Sequence, residues 1–362
     1  MGTLRELHPN PRFTKFLVEK KVFENDPLVV VDVGAKAGFE KHWDHYGDQI
    51  KLIGFEPNKD SFEECVRRKS NKQTKYYPYA LDRYKGERDF FITAYPSSCG
   101  LYKPNQKMVE KFGAEDNLTV IEKIKVKTID LDSFADQYEI DCVDFMKLDT
   151  EGSELDILHG AENVLNKSVL GLSIEVSFIK MHEGQPLISD IDQYLRRLGF
   201  KLYDLDLNRI TRKALAPYVG IHLGVGQLEF AQALYLRDAA DELDNNNGCS
   251  GFWNTERIIK MASILELYNL PDCAIELIQK SSSLGLIDAY EPNKLTNLLV
   301  PQINGQTISY EDYIHKLRLE YPKVNRLKKK KYRRIINVLP WPLNSLIIKT
   351  LLKIRDFVNL FL

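Results

Sequence analysis

The run Pro27-Leu-Val-Val-Val-Asp-Val-Gly34 constrains this chain more than any other feature. A stretch this apolar and this rich in β-branched residues has no polar face to offer water. It therefore reads as a strand covered on both sides, the situation of a central strand in a parallel sheet. A glycine-containing turn follows at once. Lys51-Leu-Ile-Gly-Phe-Glu56 then repeats the buried pattern about one βαβ unit later and ends on an acid.

The alternation continues. The pattern predicts helices at residues 40–46 and 58–69, a strand at 75–79, and two strands at about 87–93 and 123–126. A helix at 131–137, a strand at 144–149, a helix at 154–165, a strand at 170–175 and a helix at 190–198 follow. Between the paired strands, Tyr95 to Asn117 is rich in Pro, Ser and Gly and long enough for a functional loop, such as a lid. Strands alternating with helices predict an α/β fold, a Rossmann-like doubly wound sheet. After Gln227 the apolar spacing reads as helical at 228–243, 253–268 and 274–284. The expected organisation is thus a Rossmann-like domain at 1–226, a C-terminal helical extension at 227–322 and a basic amphipathic tail at 323–362.

Composition enters as a set of exclusions. With 362 residues, 44% hydrophobic and 28% charged, 20 Gly and 15 Pro, the chain is neither collagen-like nor disordered, and it can bury a core without staples. Five scattered cysteines without C-x-x-C or Cys/His spacing give neither a disulfide framework nor a zinc site, so a reducing, cytoplasmic setting is expected. The first residues lack the apolar stretch of a secretory signal. The net charge of −1 conceals an asymmetry: Lys323 to Leu362 holds eleven Lys and Arg against one acid, Asp356, so the rest of the chain is acidic. Beyond Pro340-Trp-Pro342, a helix would set Lys349, Lys353 and Asp356 opposite Leu346, Ile347, Leu351, Ile354 and Phe357. A polybasic run beside such a stripe is the two-signal recipe for peripheral attachment to the cytoplasmic face of an anionic membrane. Docking on its own core or in a homodimer is the alternative. Nucleic acid is not expected as a partner, because the catalytic half is acidic and lacks an N-P-P-Y-like tetrapeptide to hold a flipped base.

The chemistry is expected at the ends of the first two strands. Asp32-Val-Gly34-Ala35-Lys36-Ala-Gly38 lets the backbone approach a ligand, and Glu56 is placed to accept hydrogen bonds from ribose hydroxyls. An acid at the strand end suits a cofactor bearing a sulfonium and an ammonium better than one bearing a pyrophosphate, which favours S-adenosyl-L-methionine over a nicotinamide dinucleotide.

A third segment, Asp144-Phe-Met-Lys-Leu-Asp149-Thr-Glu151-Gly152-Ser-Glu154-Leu-Asp-Ile-Leu-His159-Gly160, places acids at the end of a buried strand. With it the chain resembles the FkbM-type S-adenosylmethionine-dependent methyltransferases over about Val29 to Leu205. Further matching pieces are Gly54-Phe-Glu56-Pro57-Asn58, Tyr79-Ala80-Leu81-Asp82, the Ser97-Ser98 loop and Ile174-Glu175-Val176. The resemblance implies an O-methyltransferase acting on a hydroxyl, with sugar hydroxyls of a glycan, glycolipid or glycosylated metabolite as the leading acceptors. It brings Pro57, Ala80, Leu81, Ser98 and Asp149 into the cofactor set alongside the glycine turn and Glu56. Lys36 departs from the family, which usually has Asn there.

Methyl transfer to an alcohol requires alignment and an outlet for the hydroxyl proton. Asp149 and Glu175, at neighbouring strand ends and with Glu151 as a further candidate, would either hold a divalent ion such as Mg or Mn that acidifies the hydroxyl or stand beside a direct base. His182, in the loop after Glu175, is the direct-base candidate. Glu151 and Glu154 also suit the first turn of a helix, where acids complement the dipole, and His159 suits its C-terminal end. Tyr76, Tyr77 and Tyr79 read as packing residues. A different class of function stays open beside the enzyme: a non-catalytic scaffold or binding module in a glycan-assembly complex, for which Lys36 in the cofactor turn is the motive.

Overall fold

A computed structural model of the chain describes residues 7–68, 73–220, 222, 226–245, 251–303 and 305–320. The chain divides after Pro301 into two compact units. The second is described over 302–303 and 305–320 and contains the helix Tyr310–Glu320. The basic tail lies outside the described residues.

Among the described residues ten strands run in chain order: β1 (Leu28–Val33), β2 (Ile50–Phe55), β3 (Thr74–Tyr77), β4 (Ala80–Leu81), β5 (Gly86–Thr93), β6 (Val120–Ile129), β7 (Phe145–Leu148), β8 (Gly171–Ser177), β9 (Phe200–Ile210) and β10 (Gln227–Arg237). Seven form one sheet in the order β3-β2-β1-β7-β8-β10-β9. β10 pairs antiparallel with β8 and β9, while β1, β2, β3, β7 and β8 pair in parallel. β4, β6 and β5 make a second, three-stranded sheet. All six residues of β1 are buried, as its apolar run predicts. The chain winds outward from β1 in one direction through β2 and β3 and in the other from β7. The carboxyl edge between β1 and β7 is therefore the switch point at which doubly wound sheets bind ligands.

Several expectations change. Residues 228–243 contain the strand β10 instead of one continuous helix. Its first half alternates, with Glu229, Ala231 and Ala233 buried between half-buried neighbours. Its second half, Ala233 to Arg237, is buried throughout, and a strand covered on both faces loses the alternation that separates it from a helix. The boundary drawn at 226 thus falls at the first residue of a sheet strand, and the helices Thr255–Leu267, Pro271–Ser283 and Pro292–Leu299 belong to the same compact unit as the sheet. The helix expected at 154–165 is broken into Glu154–His159 and Glu162–Lys167. Gly160 separates them, at a point where a Cβ would lie 2.2 Å from the Asp82 carbonyl oxygen. Residues 41–46 form a 3₁₀ turn rather than an α-helix. The loop excursion holds two short helices, Gln106–Phe112 and Glu115–Leu118.

A helix not read from the sequence, Arg12–Glu19, packs with Thr255–Leu267. The backbone N–H groups of Phe13 and Thr14 at its start donate to the Glu266 carboxylate at 2.9 and 2.8 Å, so an acid from another helix satisfies the free donors of its first turn.

Candidate active site

The turn after β1 is fixed by a glycine requirement. Gly34 has φ +84°, and a Cβ on it would stand 2.1 Å from the Asp149 carbonyl oxygen. No other residue allows β1 and the end of β7 to meet so closely. Around this contact lies one pocket at the carboxyl ends of β1, β2 and β7. It is walled by Val33 and Gly34, by Phe55, Glu56 and Pro57, by Tyr79, Ala80 and Leu81, and by Asp149, Thr150 and Ser153. The loop excursion closes it with Cys99, Gly100 and Leu101.

Gly34, Glu56, Pro57, Ala80, Leu81 and Asp149 of the expected cofactor set therefore share one pocket. The others take different places. Ala35 is buried, and it faces Gly54, over which Tyr76 packs. Gly38 has φ +80° and open space beside it. Lys36 Nζ donates to the Pro96 carbonyl at 2.9 Å, tying the glycine turn to the loop excursion. Ser98 sits one residue before the part of that loop that lines the pocket, its N–H donating to Tyr95.

Glu56 is only 5% exposed, and its Oε1 accepts the Asn58 N–H at 2.9 Å. Burial pushes its carboxyl up to about 7, against the opposing pull of the Asn58 N–H and Lys36. Asp32 is 1% exposed and lies on the other face of β1 from Val33. In register with it on β7 stands Lys147, whose Nζ lies 3.5 Å from Asp32 Oδ1 and 3.3 Å from Asp149 Oδ2. Burial works against the charge of Lys147, yet Asp32, Asp149 and Glu40 outweigh it and hold the amine well above its ordinary value. Burial raises the carboxyls of Asp32 and Glu40, with Lys147 as the counterweight in each.

Glu151 and Glu175 form the second feature. Leu148 and Ile174 are in register, so Asp149 follows the end of β7 beside Glu175, which lies within β8 rather than at the strand end expected and is in register with Gln232 of β10. Burial first, then the charges of Asp149, Glu154 and Glu229, push Glu151 well above its usual range; Glu175 is raised by the same causes together with Glu151. Glu151 holds a left-handed backbone, φ +58°, outside the following helix. Glu154 is the structural acid of the pair: its carboxylate accepts the Thr150 N–H at 2.8 Å, the Thr150 hydroxyl at 2.9 Å and the Gly152 N–H at 3.1 Å, which fixes the loop that carries Asp149 and Glu151.

His182 is 2% exposed. Burial lowers it to about 4, and neither ring nitrogen has a hydrogen-bond partner among the described residues. It sits where the loop after β8 meets the excursion, bridging Pro104, while Asn105 N–H donates to Met181 and Glu183 N–H to Lys103, each at 2.8 Å. His159 packs its ring on Tyr194 at 4.4 Å. Tyr77 packs among Phe55, Phe134 and Tyr138, as expected of a packing residue.

The possible metal pair of Asp149 and Glu175 does not grow into a ligand set: among the described residues no group of three or more His, Cys, Asp or Glu is arranged to hold an ion. The sequence reading had assigned no role to Lys147, Glu40 or Glu229. Lys147 carried a signal, a charge inside an otherwise apolar strand, since charges are almost never buried unless paired. Glu229, whose Oε2 lies 3.3 Å from His222 Nδ1, fell in the segment read as helix and carried none.

Residues 32–202 match the model of the methyltransferase FkbM domain. No curated protein sequence matches the chain significantly. Among solved structures, a putative S-adenosylmethionine-dependent methyltransferase from Listeria monocytogenes is similar at 9% identity and a TM-score of 0.33, over 62% of this chain and 98% of that one. The magnesium protoporphyrin IX methyltransferase from Synechocystis PCC 6803, with bound SAH, is similar at 9% identity and a TM-score of 0.29, over 63% and 83%. A 1,6-didemethyltoxoflavin-N1-methyltransferase from Burkholderia thailandensis is similar at 11% and 0.28, over 64% and 80%. Over residues 32–202, this chain is therefore similar to the methyltransferase FkbM domain.

Proposed function

We propose that the protein is an S-adenosylmethionine-dependent O-methyltransferase acting on a hydroxyl, with a sugar of a glycan, glycolipid or glycosylated metabolite as the acceptor class. The observation that carries the reading is the pocket in which the Gly34 turn, Glu56 and Asp149 converge at the switch point of the sheet, with the half-buried Glu151 just after β7 and Glu175 within the neighbouring strand β8.

The residues present fit the cofactor. Gly34 allows backbone approach, Glu56 offers a carboxylate to the ribose hydroxyls, Leu81 and Phe55 give an apolar wall for the adenine, and Asp149 offers a negative charge to the methionyl end. When bound, the cofactor supplies a methyl group on a sulfonium for in-line displacement by an oxygen. The chain's part is to align the acceptor and take its proton. Glu175 and Glu151, whose carboxyls burial and the neighbouring acids raise, are the side chains offered to that proton. Carboxylates also pair naturally with sugar hydroxyls, which supports the acceptor class. We further propose that the protein works in the cytoplasm and that Lys323 to Leu362 attaches it to an anionic membrane surface. Among the described residues no helix is long and apolar enough to cross a membrane. Retained partitioning onto anionic vesicles after deletion of that tail overturns the attachment.

The test is calorimetric titration with S-adenosylmethionine and its demethylated product, with and without divalent ion and chelator, followed by a screen of glycan acceptors. Micromolar binding and transfer to a hydroxyl are expected. Absence of binding under every condition overturns the enzyme reading in favour of a scaffold. Chelator-sensitive turnover favours Asp149 and Glu175 as metal ligands over a His182 base.

A further inference from the structure

Lys147 is the one residue of the β7 strand whose chemistry contradicts its surroundings. Phe145, Met146 and Leu148 are fully buried and apolar. Lys147 stands between them with a side chain 15% exposed, directed to the face of the sheet that carries Asp32. In-register neighbours on parallel strands place their side chains alongside one another, so the pairing with Asp32 is built into the register rather than reached by a flexible arm. Asp32 itself is 2% exposed by side chain, and its Oδ1 has no hydrogen-bond partner among the described residues and only the 3.5 Å contact to Lys147 Nζ. Asp149, by contrast, is 40% exposed by side chain and lines the pocket.

We infer that Lys147 is a positioning residue for the methionyl end of the cofactor: its ammonium joins the enclosed Asp32 to the accessible Asp149 and fixes the Asp149 carboxylate in the pocket. The inference rests on the cofactor reading above. Three carboxyl groups, Asp32, Glu40 and Asp149, act on this single ammonium, so acidic groups outnumber the cation at the place where an ammonium and a sulfonium would be received. Without Lys147 the carboxylates repel one another, Asp32 is left enclosed without a counter-charge, and Asp149 loses its anchor. The damage is then confined to ligands that possess a methionyl end. The adenosine end is held elsewhere, by Glu56, Leu81 and the loop excursion.

That separation supplies the experiment. The affinities of the intact protein for the demethylated cofactor and for adenosine are measured by calorimetry for wild type, K147M and D32N/K147M. The double variant leaves no enclosed Asp32 charge unpaired, so it answers the question if K147M fails to fold. Expected is a loss of tenfold or more for the demethylated cofactor with adenosine affinity kept within twofold, in K147M and again in the double variant. Equal losses for the two ligands, which a purely structural lysine would give, overturn the inference, as does unchanged affinity for both. Failure of the wild type to bind either ligand instead overturns the cofactor reading itself, and the inference with it.

Discussion

The strand β7 carries a buried lysine–carboxylate pair at each end, and the two are built to opposite standards. At the amino end Asp144 is fully buried, and its Oδ2 accepts the Val29 N–H at 2.8 Å and Lys260 Nζ at 3.1 Å. Lys260, 2% exposed, spends its other donors on Asp26 at 2.8 Å and the Pro27 carbonyl at 3.2 Å. Each charge is met by several partners at hydrogen-bonding distance, and the helix Thr255–Leu267 that brings Lys260 closes that edge. At the carboxyl end Lys147 meets Asp149 and Asp32 at 3.3 and 3.5 Å, Asp32 Oδ1 lacks a hydrogen bond among the described residues, and Glu151 and Glu175 carry carboxyls raised by burial and by neighbouring acids. The same residue types thus seal one edge and leave the other under-satisfied. Groups held in such unfavourable charge environments mark a site that a ligand completes.

The sharpest way to break this comparison is to remove the lysine that seals. Lys260→Ala leaves the Asp144 carboxylate buried without its counter-charge, and loss of one partner of such a pair costs about 3–5 kcal/mol. Chemical denaturation is expected to show that loss, while the folded protein keeps its cofactor affinity because the change lies at the edge away from the pocket. A cost below about 1 kcal/mol would place the two ends on the same footing. The converse change is Asp149→Asn, at the open end. It removes one of several mutually repelling charges, so stability is expected to change little. Turnover is expected to fall about a hundredfold or more, roughly 2.7 kcal/mol of barrier. A variant within about tenfold of wild type removes Asp149 from the site.

The same contrast explains what the sequence could and could not disclose. The central strands were legible because burial on both faces writes itself as an apolar run, and the site's strand ends were legible because Asp32, Glu56, Asp149 and Glu175 interrupt or end such runs with a charge. The helix Leu131–Gln137 was legible from its own periodicity and is found there, with the Asp130 side chain accepting from Ser133 N–H at 2.7 Å at its start. β10 was not legible, because its second half is apolar on both faces and its Leu, Ala and Tyr spacing satisfies a helical pattern equally well. With it Glu229 stayed hidden. The partnership of Lys147 with Asp32 was out of reach for a different reason: it depends on which two strands are neighbours and in what register, and that is a property of the sheet rather than of either segment. The sealing of the amino edge by Lys260, 116 residues away from Asp144, is likewise a tertiary fact.

The smallest expected effect sharpens the comparison at the third acid of the open edge. Glu56 has an ordinary value of 4.5 and stands at about 7, chiefly through burial. Its raised value means that the folded protein without cofactor holds a proton there that the unfolded chain releases above 4.5. The charged form is therefore a cost to folding that grows as pH rises from 4.5 to about 7. Ribose hydroxyls reverse the preference, since they donate to a carboxylate and are served less well by the protonated acid. Cofactor affinity is accordingly expected to rise with pH through this window and to level off above about 8. It should be about tenfold weaker at pH 6 than at pH 8, because one unit below the midpoint about nine molecules in ten must first lose the proton. Adenosine, which carries the same ribose, is expected to show the same slope, and Glu56→Gln should flatten it for both ligands. Calorimetry across pH 6 to 8 reads the slope directly. A slope seen with the full cofactor but absent with adenosine would move the titrating group from Glu56 to the methionyl end, where burial also raises Asp32 and Glu40 beside Lys147.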